Sequence, residues 1–194
     1  MTTEATIENG FAHVTDGTWL MGTHQPAACR GTIRERRMGG WIVPDRTRLR
    51  CVELCGTASC SNAMRPFLTR IDCAEKLSVV SERILVAPAS SRTGSQLVRI
   101  LPMSFKHALS VTEFSNPGWA VTATASRVNR FVLAEDDILS VRAESVVAWA
   151  GKRPAGHCPK LTIRDMLVPQ RRAKSLWLNF YGPGVVWAEG VHGV

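Results

Sequence analysis

The chain has 194 residues, within the usual span of one domain, and 45% of them are hydrophobic and 21% charged. That balance excludes a disordered chain and predicts a packed core. The formal net charge of +8, with an excess that is mostly arginine, predicts attraction to polyanions such as nucleic acid or to an acidic membrane surface.

The N-terminus, MTTEATIENG, holds two glutamates and no basic residue, which argues against a signal or transit peptide and makes the cytoplasm the expected compartment. Residues 1–16 read as a flexible N-terminal segment. No run approaches the ~18 apolar residues of a membrane span, so no transmembrane segment is expected. Short-strand character then recurs over residues 17–21, 30–37, 40–43, 46–54, 77–86 and 97–101. Gly39-Gly40, Pro44-Asp45, Gly56 and Pro88 separate these segments as turns. Helical periodicity is scarce, being confined to part of 63–69, where Pro66 interrupts, and a turn near 163–168.

In WAVTATAS, Trp119, Val121, Ala123 and Ala125 alternate with Thr122, Thr124 and Ser126, the period of a strand with one buried face. Phe131 and Leu133 lead into the polar turn AEDD, and Leu139, Val141 and Ala143 alternate beyond it, which predicts a hairpin. VVAWAG is apolar on both faces, as expected of a strand in the middle of a sandwich or barrel. Residues 151–174, with Pro154, Gly156, Pro159 and Pro169, read as a long basic loop.

LWLNFYGPGVVWAEG reads as a closing hairpin around Trp177, Gly182, Pro183, Gly184 and Trp187. Leu176, Leu178 and Phe180 share one face of its first strand, and Trp177, Asn179 and Tyr181 the other. Pro183 and Gly184 fit the central positions of a type II turn, with positive φ at Gly184, and Val185 and Trp187 return on one face. No sequence repeat stands out. Many short strands at close spacing predict a single all-β domain over residues 1–194, a sandwich or barrel with few or no helices.

Chemistry-bearing motifs are sparse. Six cysteines, Cys29, Cys51, Cys55, Cys60, Cys73 and Cys158, read as reduced thiols. Cys51, Cys55 and Cys60 are the only metal candidates, and their spacing departs from the usual paired ligands of structural zinc. Buried free thiols account for them equally. The histidines His13, His24, His107, His157 and His192 are dispersed with no H-x-H pair, and there is no nucleophile elbow, Walker loop or dinucleotide fingerprint. No catalytic residue, cofactor or metal is therefore assigned. Asp136 and Asp137 read as turn residues.

Arginine supplies the one candidate binding surface. Arg46, Arg48 and Arg50 fall two apart and share a strand face, as do Arg34 and Arg36, so adjacent strands would carry a basic stripe, extended by Arg171, Arg172 and Lys174 of the loop. The competing reading is a solvated face paired with acids. No aromatic residues interleave with these arginines, which disfavours a platform for single-stranded nucleic acid.

Over residues 119–190, FVLAEDDILSVRAESVVAWAG and LWLNFYGPGVVWAEG resemble the altered-inheritance-of-mitochondria, number twenty-four, family, also called mitochondrial biogenesis proteins and widespread in bacteria. The resemblance implies a compact double-stranded β-helix of the tryptophan RNA-binding attenuator protein-like kind, often built from two pseudo-repeated halves. It implies no enzymatic activity. Members in eukaryotes are associated with mitochondrial inner-membrane organisation. The arginine-rich, cysteine-bearing first half departs from the family pattern. The combined expectation is a non-enzymatic, oligomerising β-scaffold that forms homo-oligomers, with an anion-binding module as the alternative.

Overall fold

A computed structural model describes residues 4–22, 28–36, 49–99, 108–115, 118–157 and 176–190. Among them the chain is all-β, and its helical content is limited to the three-residue 3₁₀ turns Ser81–Arg83, Ala89–Ser91 and Ala143–Ser145.

Residues 5–14 are paired into a sheet rather than forming a flexible segment. β1 (Ala5–Glu8) and β2 (Phe11–Val14) make a tight hairpin in which Asn9 and Gly10 both take positive φ, 50° and 78°, as a two-residue turn matched to strand twist requires. Ala5, Ala12 and Val14 are buried and hold the hairpin to the core. β3 (Gly17–Met21) follows after a break at Thr15 and Asp16, and both β2 and β3 pair with the long β5 (Arg50–Cys60). The break is fixed by side chains: Asp16 Oδ1 accepts the Gly56 amide, and Trp19 Nε1 donates to the Thr15 carbonyl at 2.9 Å. β4 (Ala28–Arg36) pairs along nearly the whole of β5. Gly31 lies opposite Gly56 there, with φ of 127° and 121°, and a Cβ on either would meet the facing carbonyl oxygen at 2.0 or 2.1 Å. Only glycine fits.

The rest of the chain uses one unit twice. LSVVSERILVA and LSVRAESVVAWA share Leu, Ser, Val and Glu at matched positions, and the elements around them correspond. The first unit comprises β6 (Phe67–Cys73), β7 (Leu77–Val80), β8 (Ile84–Pro88), β9 (Arg92–Arg99), β10 (Ala108–Phe114) and β11 (Gly118–Thr124). The second comprises β12 (Val128–Leu133), β13 (Ile138–Arg142), β14 (Val146–Gly151), β15 (Ala155–His157), β16 (Trp177–Tyr181) and β17 (Gly184–Glu189). β11 is flanked by β6 and β8 as β17 is flanked by β12 and β14. Likewise β10 pairs with β7 and β9 as β16 pairs with β13 and β15.

These pairings assemble three sheets. Eight strands run β1-β2-β5-β3-β8-β11-β6 with β4 on β5, and this sheet nearly closes, since Arg70 of β6 donates to the Ala5 carbonyl of β1 at 3.1 Å. Six run β12-β17-β14-β7-β10-β9, and three run β13-β16-β15. The β7–β14 pair is the seam between the two units, and the β3–β8 pair joins the N-terminal strands to the first unit. Trp19 and Trp119 meet edge-on, centroids 5.9 Å apart, inside the first sheet; Trp149 and Phe180 meet at 5.8 Å in the core of the second unit.

Two expected hairpins are instead corners. β12 pairs with β17 and β13 with β16, so neither β12 with β13 nor β16 with β17 forms a local pair. The segments run antiparallel as one ribbon that bends from sheet to sheet at residues 134–137 and at Gly182-Pro183. The AEDD turn is present as expected: the Ala134 amide donates to Asp137 Oδ2 at 2.7 Å and the Asp137 amide to the Ala134 carbonyl at 3.2 Å. The partner corner differs from the type II turn, because the Gly182-Pro183 bond is cis and Gly184 has no positive φ. Glycine is needed for close approach: a Cβ on Gly182 would sit 1.5 Å from the Ala134 oxygen, and one on Gly184 2.6 Å from that of Ala150. The face assignment holds, with Leu176, Leu178 and Phe180 all buried, while Val186, Trp187 and Ala188 are buried on both faces of β17. β11 is likewise buried on both faces, its Thr122 and Thr124 hydroxyls donating to the Thr69 and Phe67 carbonyls.

Gly182→Ala is predicted to destabilise the fold by about 3 kcal/mol, the upper range for forcing a methyl against packed structure. Chemical denaturation measures this, and an unchanged midpoint would show that the two corners do not nest.

Candidate functional site

The metal candidates are separated by strand parity. Along β5, Val52, Leu54, Ala58 and Cys60 point to the core, and Cys51, Glu53 and Cys55 to the other side. Cys60 thus lies on the face opposite to Cys51 and Cys55, which are themselves four residues apart on an extended strand, about 13 Å at ~3.3 Å per residue. Among the described residues no group of three or more His, Cys, Asp or Glu side chains is placed to hold a metal ion. Burial, with the nearby Cys29 adding to it, pushes the Cys60 thiol up to about 11. Burial also raises Cys51, partly offset by Arg36 and Arg92. Cys29 and Cys55 are exposed.

The arginine stripe is divided in the same way. Arg34 and Arg36 project from one face of β4, opposite Glu53 and Cys51, whereas Arg50 projects from the other face with Glu35. Both faces also carry their own acids: Arg36 pairs with Glu53 and Arg50 with Glu35, each at 2.8 Å. Arg46, Arg48, Arg171, Arg172 and Lys174 lie outside the described residues, as do His24, His107 and His192. His13 shares a hydrogen bond of 2.9 Å with Ser59 Oγ.

Two features were not singled out by sequence reading. The first is a buried ion pair where the repeats meet. Arg83, in the 3₁₀ turn of the first unit, donates to Glu189 Oε1 at the end of β17 and to the Glu144 carbonyl in the matching turn of the second unit. Glu189 Oε2 also accepts the Ala125 amide at 2.8 Å. The side chains are 8% and 11% exposed. Arg83 Nε has no hydrogen-bond partner among the described residues. Burial lowers the Arg83 pKa while Glu189 opposes the shift, and a guanidinium stays charged throughout.

The second is an apolar corner. Val132 and Ile138 are 63% and 64% exposed and Tyr181 42%, and they flank the bend at residues 134–137 and Gly182-Pro183. The strand registers align Val132 with Asp72, Ile138 with Lys76 and Tyr181 with Ser115 of the first unit. Three exposed polar residues there thus become three exposed apolar ones here. β13 beside them carries no strand on the edge that, in the first unit, β7 offers to β14. This absence refers to the described residues.

An open groove of about 360 Å³ lies beside Ile7, Phe67, Leu68 and Arg127 and is lined by no acid, histidine or cysteine. The buried hydroxyls of Ser81 and Thr112 bond each other at 2.9 Å with Ser110 adjoining, and no histidine or acid joins them among the described residues. No helix among the described residues is long and apolar enough to cross a membrane.

No protein-family model matches the chain, and no curated protein matches it by sequence. A crystal structure of a Streptococcus pyogenes protein, determined by a structural genomics consortium, is similar over 98% of this chain and 94% of its own, with a TM-score of 0.73 and 11% identity. The fold is shared end to end. At that identity the likeness carries fold alone.

Two predictions follow from burial. Glu189→Gln or Arg83→Met alone should cost about 3 to 5 kcal/mol by stranding a buried charge, and Arg83→Met with Glu189→Leu should recover most of it. Denaturant titration of the three variants decides this, and equal losses in single and double variants would sink the reading. Iodoacetamide at pH 8 should label Cys29 and Cys55 in the folded protein and spare Cys60, whose labelling should rise only as the pH approaches 11. Peptide mass mapping reports the order of labelling.

Proposed function

We propose that this chain is a non-enzymatic β-scaffold that works by self-assembly, with the apolar corner of the second unit as the contact between copies. The observation that carries the reading is the exchange of Asp72, Lys76 and Ser115 for Val132, Ile138 and Tyr181 at matched positions of two otherwise similar units. Polar residues suffice to solvate the corner, so large apolar ones at the same backbone positions are explained by a surface that is covered in use. The uncovered edge of β13 adjoins this patch, and an open strand edge is itself a template for pairing.

The non-enzymatic part rests on chemistry: the groove beside Ile7 and Phe67 is lined by no acid, histidine or cysteine, the His13–Ser59 hydrogen bond lies outside it, and among the described residues no group of three or more His, Cys, Asp or Glu side chains converges. The resemblance to the altered-inheritance-of-mitochondria, number twenty-four, family fits the same reading, and the duplicated architecture supports it, since paired pseudo-repeats are what that family implies. The anion-binding alternative loses support from the division of Arg34 and Arg36 from Arg50 by strand parity and from the pairing of Arg36 with Glu53 and of Arg50 with Glu35.

The test uses the protein's own first unit as the guide to tolerated residues. Val132→Asp with Ile138→Lys installs the amino acids that the matching positions already carry, so the fold should persist. Light scattering should give a multimeric mass for the parent and a monomeric mass for the variant. A monomeric parent, or a variant of unchanged multimeric mass, would overturn the proposal.

A further inference from the structure

We propose that the outer edge of β4 takes up an extended acidic polypeptide segment, which adds to the first sheet as a further strand. β4 is nine residues long and pairs only with β5 among the described strands, so its other edge presents backbone donors and acceptors with no strand partner. Every residue of β4 except Ile33 is exposed. A long, open edge of this kind is a template for strand addition, and what pairs with it is set by the side chains that border it.

Those side chains are basic. Arg30, Arg34 and Arg36 share one face, and successive positions on a strand face stand about 7 Å apart. Arg36 is held by Glu53, while Arg30 and Arg34 have no ion-pair partner among the described residues. On the reverse face Glu35 is already occupied by Arg50. The unmatched charge along the edge is therefore two arginines on one face. An incoming strand with acidic residues at alternate positions would place a carboxylate beside each of them, the favourable cross-strand pairing of opposite charges.

The same arginines argue against a second copy of β4 as the occupant. An antiparallel self-pair centred on Thr32 sets Arg30 against Arg34, one centred on Ile33 sets Arg30 against Arg36, and one centred on Glu35 sets Arg34 against Arg36. Like charges directly opposite are destabilising. A nucleic acid would satisfy the arginines and leave the backbone edge unpaired, whereas an acidic peptide satisfies both. The proposal is independent of the apolar corner, which belongs to the second unit.

The experiment titrates the full chain with a fluorescent peptide of about ten residues alternating glutamate and threonine, and follows anisotropy. Two controls of equal charge accompany it: the same peptide N-methylated at every residue, which keeps the carboxylates and removes the amide donors, and a single-stranded DNA oligonucleotide. The acidic peptide should bind at least about tenfold more tightly than its methylated form, the loss expected of a few backbone hydrogen bonds. Arg30→Glu with Arg34→Glu, both exposed, should abolish that binding and confer binding of the matching lysine–threonine peptide. Absence of binding, equal binding of the methylated peptide or the DNA, or indifference to the charge reversal would each overturn the proposal.

Discussion

Arg83 is the point on which the two units of this protein turn. Its guanidinium leaves the 3₁₀ turn of the first unit and reaches the matching turn of the second through the Glu144 carbonyl, and it closes on Glu189 at the last residue of β17. Glu189 in turn holds the amide of Ala125, where the first unit gives way to the second. One buried ion pair therefore ties the 3₁₀ turn of the first unit to the matching turn and the last strand of the second, and through Glu189 to the residue that follows β11. Neither residue is repeated: Ser145 stands where the second unit would carry Arg83, and Ala123 where the first would carry Glu189. A buried pair of this kind contributes more to alignment than to net stability, because desolvation offsets much of its attraction. The pair sits beside the β7–β14 seam, joining the turn that follows β7 to the turn that precedes β14.

The seam in turn depends on strands that change sheet. Each unit takes its chain through bends at a 3₁₀ turn and at a polar corner, and this lets one core be shared between sheets. Close backbone approach explains why Gly31 and Gly56 oppose each other between β4 and β5 and why Gly182 and Gly184 stand at the last corner. Where two units share a sheet, edges are consumed. Two of the edges that remain among the described strands, on β4 and β13, differ in chemistry, one bordered by arginine and the other by valine, isoleucine and tyrosine. The two proposed uses of open edge rest on these side chains.

Much of the element content was legible because alternation reports faces directly. The segment at 17–21 coincides with β3, the AEDD turn stands where its carboxylates can bond their own backbone, and Leu176, Leu178 and Phe180 share a buried face. Partners were not legible. The two apparent hairpins read as local because their strands are adjacent in sequence, yet β12 and β13 pair with β17 and β16 across the corner. Period two assigns a side to each residue and says nothing about which strand lies beside it. The same limit misplaced Arg50 on a face with Arg34 and Arg36. The duplication was hidden by the longer turn between Leu133 and Leu139 than between Cys73 and Leu77, and by the change of apolar for polar residues at the corner. Those changed positions form the candidate interface. It follows that the site was missed for the reason that makes it a site, since it departs from the pattern its own repeat would predict.

The central claim is that the second unit differs from the first by presenting a surface to other copies of the chain. Hydrogen–deuterium exchange at two protein concentrations, one dilute and one high, tests it at residue level. The account predicts that amides at residues 132–138 and 181–185 become slower to exchange as concentration rises, while those at residues 72–76 and 115 do not. Exchange that is independent of concentration at both corners, or that slows equally at both, would contradict it.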